Sequence, residues 1–155
     1  MATVRVQKDD FDPAAEAEAL ARGRTEVGAV VSFIGYCRDE GGGIAALELE
    51  HYPGMAEDEI ARAAGEAEAR WPLLGATIIH RYGRIVPGER IVFVAVAAEH
   101  RGAAFAAAEM LMDYLKTRAP FWKRAIRIDG AVEGWIESKR EDDRSAARWS
   151  PPTDG

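Results

Sequence analysis

The 155-residue sequence contains a single cysteine, Cys37. A lone cysteine closes no internal disulfide and brings no paired thiolates to a structural zinc site, which points to a reducing compartment. The three histidines, His51, His80 and His100, are too scattered to form a zinc-ligand pattern. No metal and no resident cofactor is therefore expected. No stretch reaches the about 20 consecutive apolar residues of a membrane span. The opening MATVRVQKDDF meets acidic residues without an apolar run of signal-peptide length. An excess of positive charge is also missing: 26 acidic against 20 basic residues give a formal net charge of −6. General nucleic-acid binding favours the opposite balance. The expectation is a soluble, cytoplasmic protein that partners neither nucleic acid nor membrane.

What is present is ordinary in amount and informative in order. The length suits one domain with a core that needs no staples. We expect that domain over residues 1–149, followed by a Pro-containing, frayed tail over 150–155. Thr3 to Gln7 alternates as a short strand, and Pro13 opens an Ala/Glu-rich helix to about Arg22. Val27 to Cys37 is β-branched and aromatic and reads as a buried strand. A glycine loop, Gly41-Gly42-Gly43, leads to a second alternating run, Ile44 to Tyr52. The shortness of that connection predicts that the two strands are antiparallel neighbours. Met55 to Trp71 has a helical apolar face of Ile60, Ala63, Ala64, Ala67 and Trp71. Strands follow at Ala76 to Tyr82 and Arg90 to Ala98, around a type II turn at Val86-Pro87-Gly88-Glu89. A third helix spans Arg101 to Arg118, with Ala104, Phe105, Ala108, Met112 and Leu115 as its core stripe. Phe121 to Asp129 and Gly134 to Ser138 read as closing strands. Strand pairs between three main helices predict an α+β sandwich with antiparallel pairs rather than a doubly wound parallel sheet.

Against the acidic background stands one basic island. From Lys116 to Ile128 there are five cations, Lys116, Arg118, Lys123, Arg124 and Arg127, and no carboxylate. Lys116 falls in a last helical turn, where a cation suits the helix dipole in any case. Lys123 lies beyond the Pro120 break, in a segment that alternates faces, so Phe121 and Lys123 share one side and Trp122 and Arg124 the other. Nearby cations and partial burial both lower a lysine pKa, which makes lysine a usable base or nucleophile. His100-Arg101 sits where a strand gives way to a helix, a junction that offers free N–H groups and a guanidinium fork to an anion. Arg38 ends a strand before the glycine loop. Cys37, in an apolar strand with no adjacent histidine, reads as a small buried hydrophobe. The residues alone thus predict a pocket for a phosphorylated or carboxylated ligand, without naming a reaction.

The same stretches resemble the large, catalytic subunit of molybdopterin synthase. The likeness runs through Gly28-Ala29-Val30-Val31 to Gly35 and Arg38, Leu49-Glu50-His51-Tyr52-Pro53-Gly54-Met55, Ile79-His80-Arg81 to Gly83, Pro87-Gly88-Glu89 and His100-Arg101. It is longest over Met112 to Arg124, MDYLKTRAPFWKR, and spans about Gly28 to Trp149. The resemblance implies a hammerhead-type α+β fold and a sulfurtransferase that converts cyclic pyranopterin monophosphate into molybdopterin. Sulfur would come from the C-terminal thiocarboxylate of a small ubiquitin-like partner ending in Gly-Gly. The assembly implied is a heterotetramer with a dimer of large subunits at its centre, whose pockets also draw residues from the neighbouring large subunit. By the same analogy Lys116 and Lys123 are catalytic. Arg38, His100, Arg101 and Arg124 bind substrate, flanked by Tyr36, Cys37, Ala125 and Lys139. The chain departs from the family's pattern in three places. Tyr36-Cys37 stands where a basic or polar residue and then an apolar one are expected. Ala125 stands where a carboxylate can occur, and Lys139, with Arg140 beside it, stands near a position often held by arginine. A non-catalytic module that recognises a ubiquitin-like C-terminus and a single-stranded RNA binder using Phe121, Trp122, Lys123 and Arg124 are the competing readings.

Overall fold

The computed structural model describes residues 2–135 and 140–150. Eleven elements follow in order: β1 (Ala2–Gln7), α1 (Pro13–Ala21), β2 (Ala29–Tyr36), β3 (Ile44–His51), α2 (Met55–Arg70), β4 (Leu73–Arg81), β5 (Gly83–Ile85), β6 (Arg90–Ala98), α3 (Arg101–Thr117), β7 (Phe121–Arg127) and α4 (Arg140–Ala147). They form two sheets, ordered β1-β4-β6-β2 and β5-β3-β7. All pairings are antiparallel except β1 with β4. This is the α+β sandwich predicted from the strand pairs.

The four-stranded sheet is covered on both faces, and the alternation along its two central strands decides what each cover touches. Ile78, Val92, Val94 and Val96 face α2 and α3, joining Ile60, Ala63, Ala64, Ala67, Ala107 and Leu111 in the main core. Ile79, Phe93 and Ala95 face the other way, toward Phe11 and the Ala17 and Leu20 side of α1. Burial on both faces explains why β4 and β6 read as nearly continuous apolar runs. A smaller cluster of Cys37, Leu49 and Ile85, with Leu47, Tyr82 and Ile91 against it, joins the two sheets.

Local signals set the helix ends. The Asp12 side chain accepts the Ala15 N–H at 3.2 Å, and Pro13 takes the first helical turn of α1. At α2 the Gly54 N–H donates to the Glu57 carboxylate at 2.8 Å, with Gly54 itself at φ +88°. Pro120 follows the end of α3 and prevents its continuation.

Several expectations are corrected. The strands on either side of the glycine loop are not partners: β2 is an edge of the larger sheet, paired with β6, whereas β3 is the centre of the smaller one. Glu40, Gly41 and Gly42 take positive φ in succession, and the chain crosses between sheets there instead of closing a hairpin. The three-residue strand β5 is too short to show a period in the sequence. Phe105 leaves the core stripe of α3 and is 61% exposed; the inner face runs through Ala104, Ala107, Ala108, Leu111, Tyr114 and Leu115. Gly134 and Trp135 form no strand, and the rest of that expected strand lies outside the described residues. A fourth helix, α4, packs Ala146 into the main core, and Trp149 just beyond it meets Trp71 edge-on at 5.8 Å.

Candidate functional site

The basic island divides once it is folded. Its arginines meet carboxylates on neighbouring elements: Arg118 holds Glu66 through two hydrogen bonds of 2.8 and 3.0 Å, Arg124 holds Glu48 at 2.7 Å, and Arg127 holds Glu133 at 3.1 Å. Arg118 also stacks over Tyr114 and Arg124 over Trp135. Arg124 therefore lies on the outer face of the smaller sheet, turned away from Lys123 by the strand alternation.

The two lysines take the other side. Lys116 is exposed in the last turn of α3. It borders a cleft of about 90 Å³ walled by Phe33, Gly35 and Tyr36 of β2, His80 of β4, Ile91 and Val92 of β6, and Met112 and Leu115 of α3. Lys123 stands opposite Leu49 in the β3–β7 register, and Leu49 packs against Cys37. A stack of rings adjoins the cleft. Phe121, on the Lys123 face of β7, lies on His80 at 3.8 Å and 15°, with His51 on it at 5.8 Å. His80 Nδ1 is 2.8 Å from the Arg81 carbonyl. Burial pushes the His80 pKa down to about 4, and the positive charge of Lys116 works in the same direction. The ring is neutral at physiological pH.

Cys37 is 3% exposed, and burial, reinforced by Glu89, holds its thiol above the usual range although Lys123 pulls it down. It stays protonated, which is the behaviour of a packing residue. Tyr36 is 51% exposed at the mouth of the cleft. Arg38 is exposed just past β2. Ala125 is buried against the smaller sheet, its carbonyl accepting the Glu133 N–H at 3.0 Å. Lys139 lies outside the described residues.

His100 and Arg101 are elsewhere. They line a shallow depression of about 460 Å³ with Gly28, Glu99 and Gly102, at the opposite end of α3. Fifteen residues of helix separate Arg101 from Lys116, about 22 Å at 1.5 Å per residue. Gly28 is obligatory at this junction, because a Cβ there would stand 2.0 Å from the Glu99 carbonyl oxygen. The chain thus has a cleft bordered by Lys116 at one end of α3 and a depression lined by His100 and Arg101 at the other. Among the described residues no group of histidine, cysteine and carboxylate side chains is arranged to hold a metal ion.

Sequence reasoning passed over His80, Phe33 and Met112. For His80 a signal existed: Ile78-Ile79 precede it in an otherwise apolar strand, where a polar ring needs a reason to be.

Comparison with known proteins places the chain. The protein-family model described as "MoaE protein" matches residues 6–118. A "Molybdopterin synthase catalytic subunit" of Mesorhizobium japonicum is 63% identical over 95% of this chain and 92% of its own length. The protein of the same description from Brucella melitensis is 58% identical over 97% and 92%. Among solved structures, a "Molybdopterin biosynthesis MoaE protein" from Burkholderia ambifaria superposes with a TM-score of 0.82 at 49% identity, covering 96% of this chain and 98% of that one.

Proposed function

This chain belongs to the MoaE protein family, and we propose that it is the sulfur-transferring subunit of a molybdopterin synthase. In this reading the thiocarboxylate tail of a small ubiquitin-like partner enters the cleft beside Lys116. Its sulfur is transferred to cyclic pyranopterin monophosphate, and two such transfers complete the dithiolene. Each transfer exchanges sulfur for oxygen: the substrate carbon forms a C–S bond and gives up its oxygen substituent, and the acyl carbon, cleaved from sulfur by water, leaves as a carboxylate. The observation that carries the reading is Lys116 at the edge of an otherwise largely apolar cleft that His80 also lines, with Phe121, two residues from Lys123 on the same strand, stacked on that histidine. An ammonium group in such surroundings orients an anionic thiocarboxylate and stabilises charge that develops as sulfur attacks. No cysteine has to carry the sulfur, in keeping with the buried, protonated Cys37.

The about 22 Å between Arg101 and Lys116 supports a composite site. His100 and Arg101 from a second copy of the chain would complete the lysine cleft and hold the substrate phosphate, which makes a dimer of this chain the centre of a heterotetramer. Arg38, exposed in the loop after β2, would add a further cation to the same pocket. Arg124 contributes from behind, by fixing β7 through Glu48.

Reconstitution tests the reading. The protein is mixed with cyclic pyranopterin monophosphate and the thiocarboxylated small partner, and molybdopterin is followed by the fluorescence of its oxidised derivative. Product that requires all three components is the expected result. No product from folded, associated subunits would leave a non-catalytic binding module in its place.

A further inference from the structure

The cleft beside Lys116 is narrow and mostly apolar. A side chain at Gly35 would place its Cβ 2.6 Å from Val92 Cγ1, so the wall there is already in contact with its neighbour. Phe33, Ile91, Val92 and Leu115 supply no hydrogen-bonding side chains, Met112 only a weakly accepting thioether, and the hydroxyl-bearing Tyr36 is largely exposed. A peptide backbone entering such a space loses water from each N–H and needs an acceptor in exchange.

His80 is built to be that acceptor. Its ring is clamped by the Phe121 stack and by the 2.8 Å contact between Nδ1 and the Arg81 carbonyl. A carbonyl oxygen only accepts, so Nδ1 carries the proton, and the neutral ring keeps its lone pair on Nε2. Burial is the main cause of that state; the Arg81 carbonyl works against it, and Lys116 on α3 and His51 on β3 both add to it by disfavouring an imidazolium at this position. An imidazolium would have no lone pair to offer.

We propose that His80 Nε2 accepts a backbone N–H of the partner's C-terminal glycines while Lys116 takes the terminal thiocarboxylate. The inference rests on the reading of this cleft as the entry for that tail, and it assigns the tail's orientation to two side chains of one wall. It also explains a demand for glycine. With about 90 Å³ between walls that include Phe33, Val92 and Leu115, the cleft favours tail residues that add no side-chain volume.

Affinity measured by titration calorimetry tests this, with the intact small partner and with the same partner lacking its two terminal glycines. His80→Phe keeps the ring volume and the stack on Phe121. It is expected to weaken the intact partner about five- to tenfold, the worth of one hydrogen bond, and to leave the shortened partner unchanged. His80→Gln, whose amide oxygen reaches the Nε2 position, is expected to recover most of the loss. His80→Asn keeps a donor near the Arg81 carbonyl without an acceptor at Nε2. It is expected to behave like His80→Phe, and it serves in place of that variant should the latter fail to fold. Equal losses for both forms of the partner, or none for either, would overturn the proposal. Lys116→Ala separates the two levels: if it weakens only the intact partner while the His80 variants bind like wild type, the tail enters but His80 does not hold it. If the wild-type protein binds both forms equally, the tail does not enter, and the functional reading falls with the proposal.

Discussion

A dimer carrying Lys116→Ala in one chain and Arg101→Ala in the other gives a quantitative test of how the two ends of α3 cooperate. In a single chain these residues are separated by about 22 Å of helix, a distance a lysine and an arginine do not close by reaching toward each other. If each working site takes its lysine from one copy and its arginine from the other, every variant homodimer has two impaired sites. Lys116→Ala removes the cation that orients the thiocarboxylate, and turnover stops. Arg101→Ala removes a charge-assisted hydrogen bond worth roughly 1.5–3 kcal/mol, so substrate affinity falls about tenfold to a hundredfold. In the mixed dimer both defects fall in one site, and the other site has Lys116 and Arg101 intact. Heterodimers isolated through two different affinity tags should therefore show about half of wild-type activity at low substrate, a consequence of two-fold symmetry alone. Activity equal to the mean of the two homodimers would refute the reasoning and return His100 and Arg101 to a role within their own chain.

Three further outcomes concern the frame around the site. The His80 ring is protonated below about pH 6.5 when the chain is unfolded, but only below about 4 when folded. Between these values the unfolded state binds more protons, so stability is lost as pH falls through this window, by up to about 3 kcal/mol. Urea titrations from pH 7 to 4 should show that slope, and His80→Phe should flatten it; an unchanged slope would mean other groups cause it. The buried Arg81 guanidinium bonds to the carbonyls of Lys8 and Arg90 at 2.9 and 2.8 Å and to Glu89 at 3.0 Å, tying β1, β4 and β6 together. Arg81→Leu should cost about 3 kcal/mol by leaving those acceptors unpaired, and a loss under about 0.5 kcal/mol in denaturant titration would show that water replaces it. Gly28→Ala drives a Cβ against the Glu99 carbonyl and should destabilise the fold by about 1–3 kcal/mol. It should also weaken substrate binding through the displaced His100–Arg101 junction, and a variant with wild-type stability and affinity would contradict the close approach.

Much of this architecture was legible in the residues. Alternation and β-branched runs located β2, β3, β4 and β6, and Pro13, Pro53-Gly54 and Pro120 marked helix ends within a few positions. What failed were non-local choices. The glycine loop after Arg38 has the length of a hairpin, but β2 finds β6 and β3 finds β5 and β7. Nothing short of three-dimensional packing decides between such pairings. In α3 the abundance of alanine blurs the core face, so Phe105 was drawn inward though its position lies on the flank. At the site, the basic island pointed to Lys116 and Lys123. It did not distinguish them from Arg118, Arg124 and Arg127, whose carboxylate partners lie on α2, on β3 and beyond β7. The distance between Arg101 and Lys116 follows already from the helix expected over Arg101 to Arg118, but which cleft each end borders depends on the packing of β2, β4 and β6 around α3.

The most direct test of the central claim is the rate of molybdopterin formation by Lys116→Ala in a single-turnover reaction with thiocarboxylated partner and cyclic pyranopterin monophosphate. The account predicts a rate at least about a hundredfold below wild type, in a protein that keeps its fold and still associates with its partner. A rate close to wild type would contradict the account, because it would remove the lysine cleft from the chemistry.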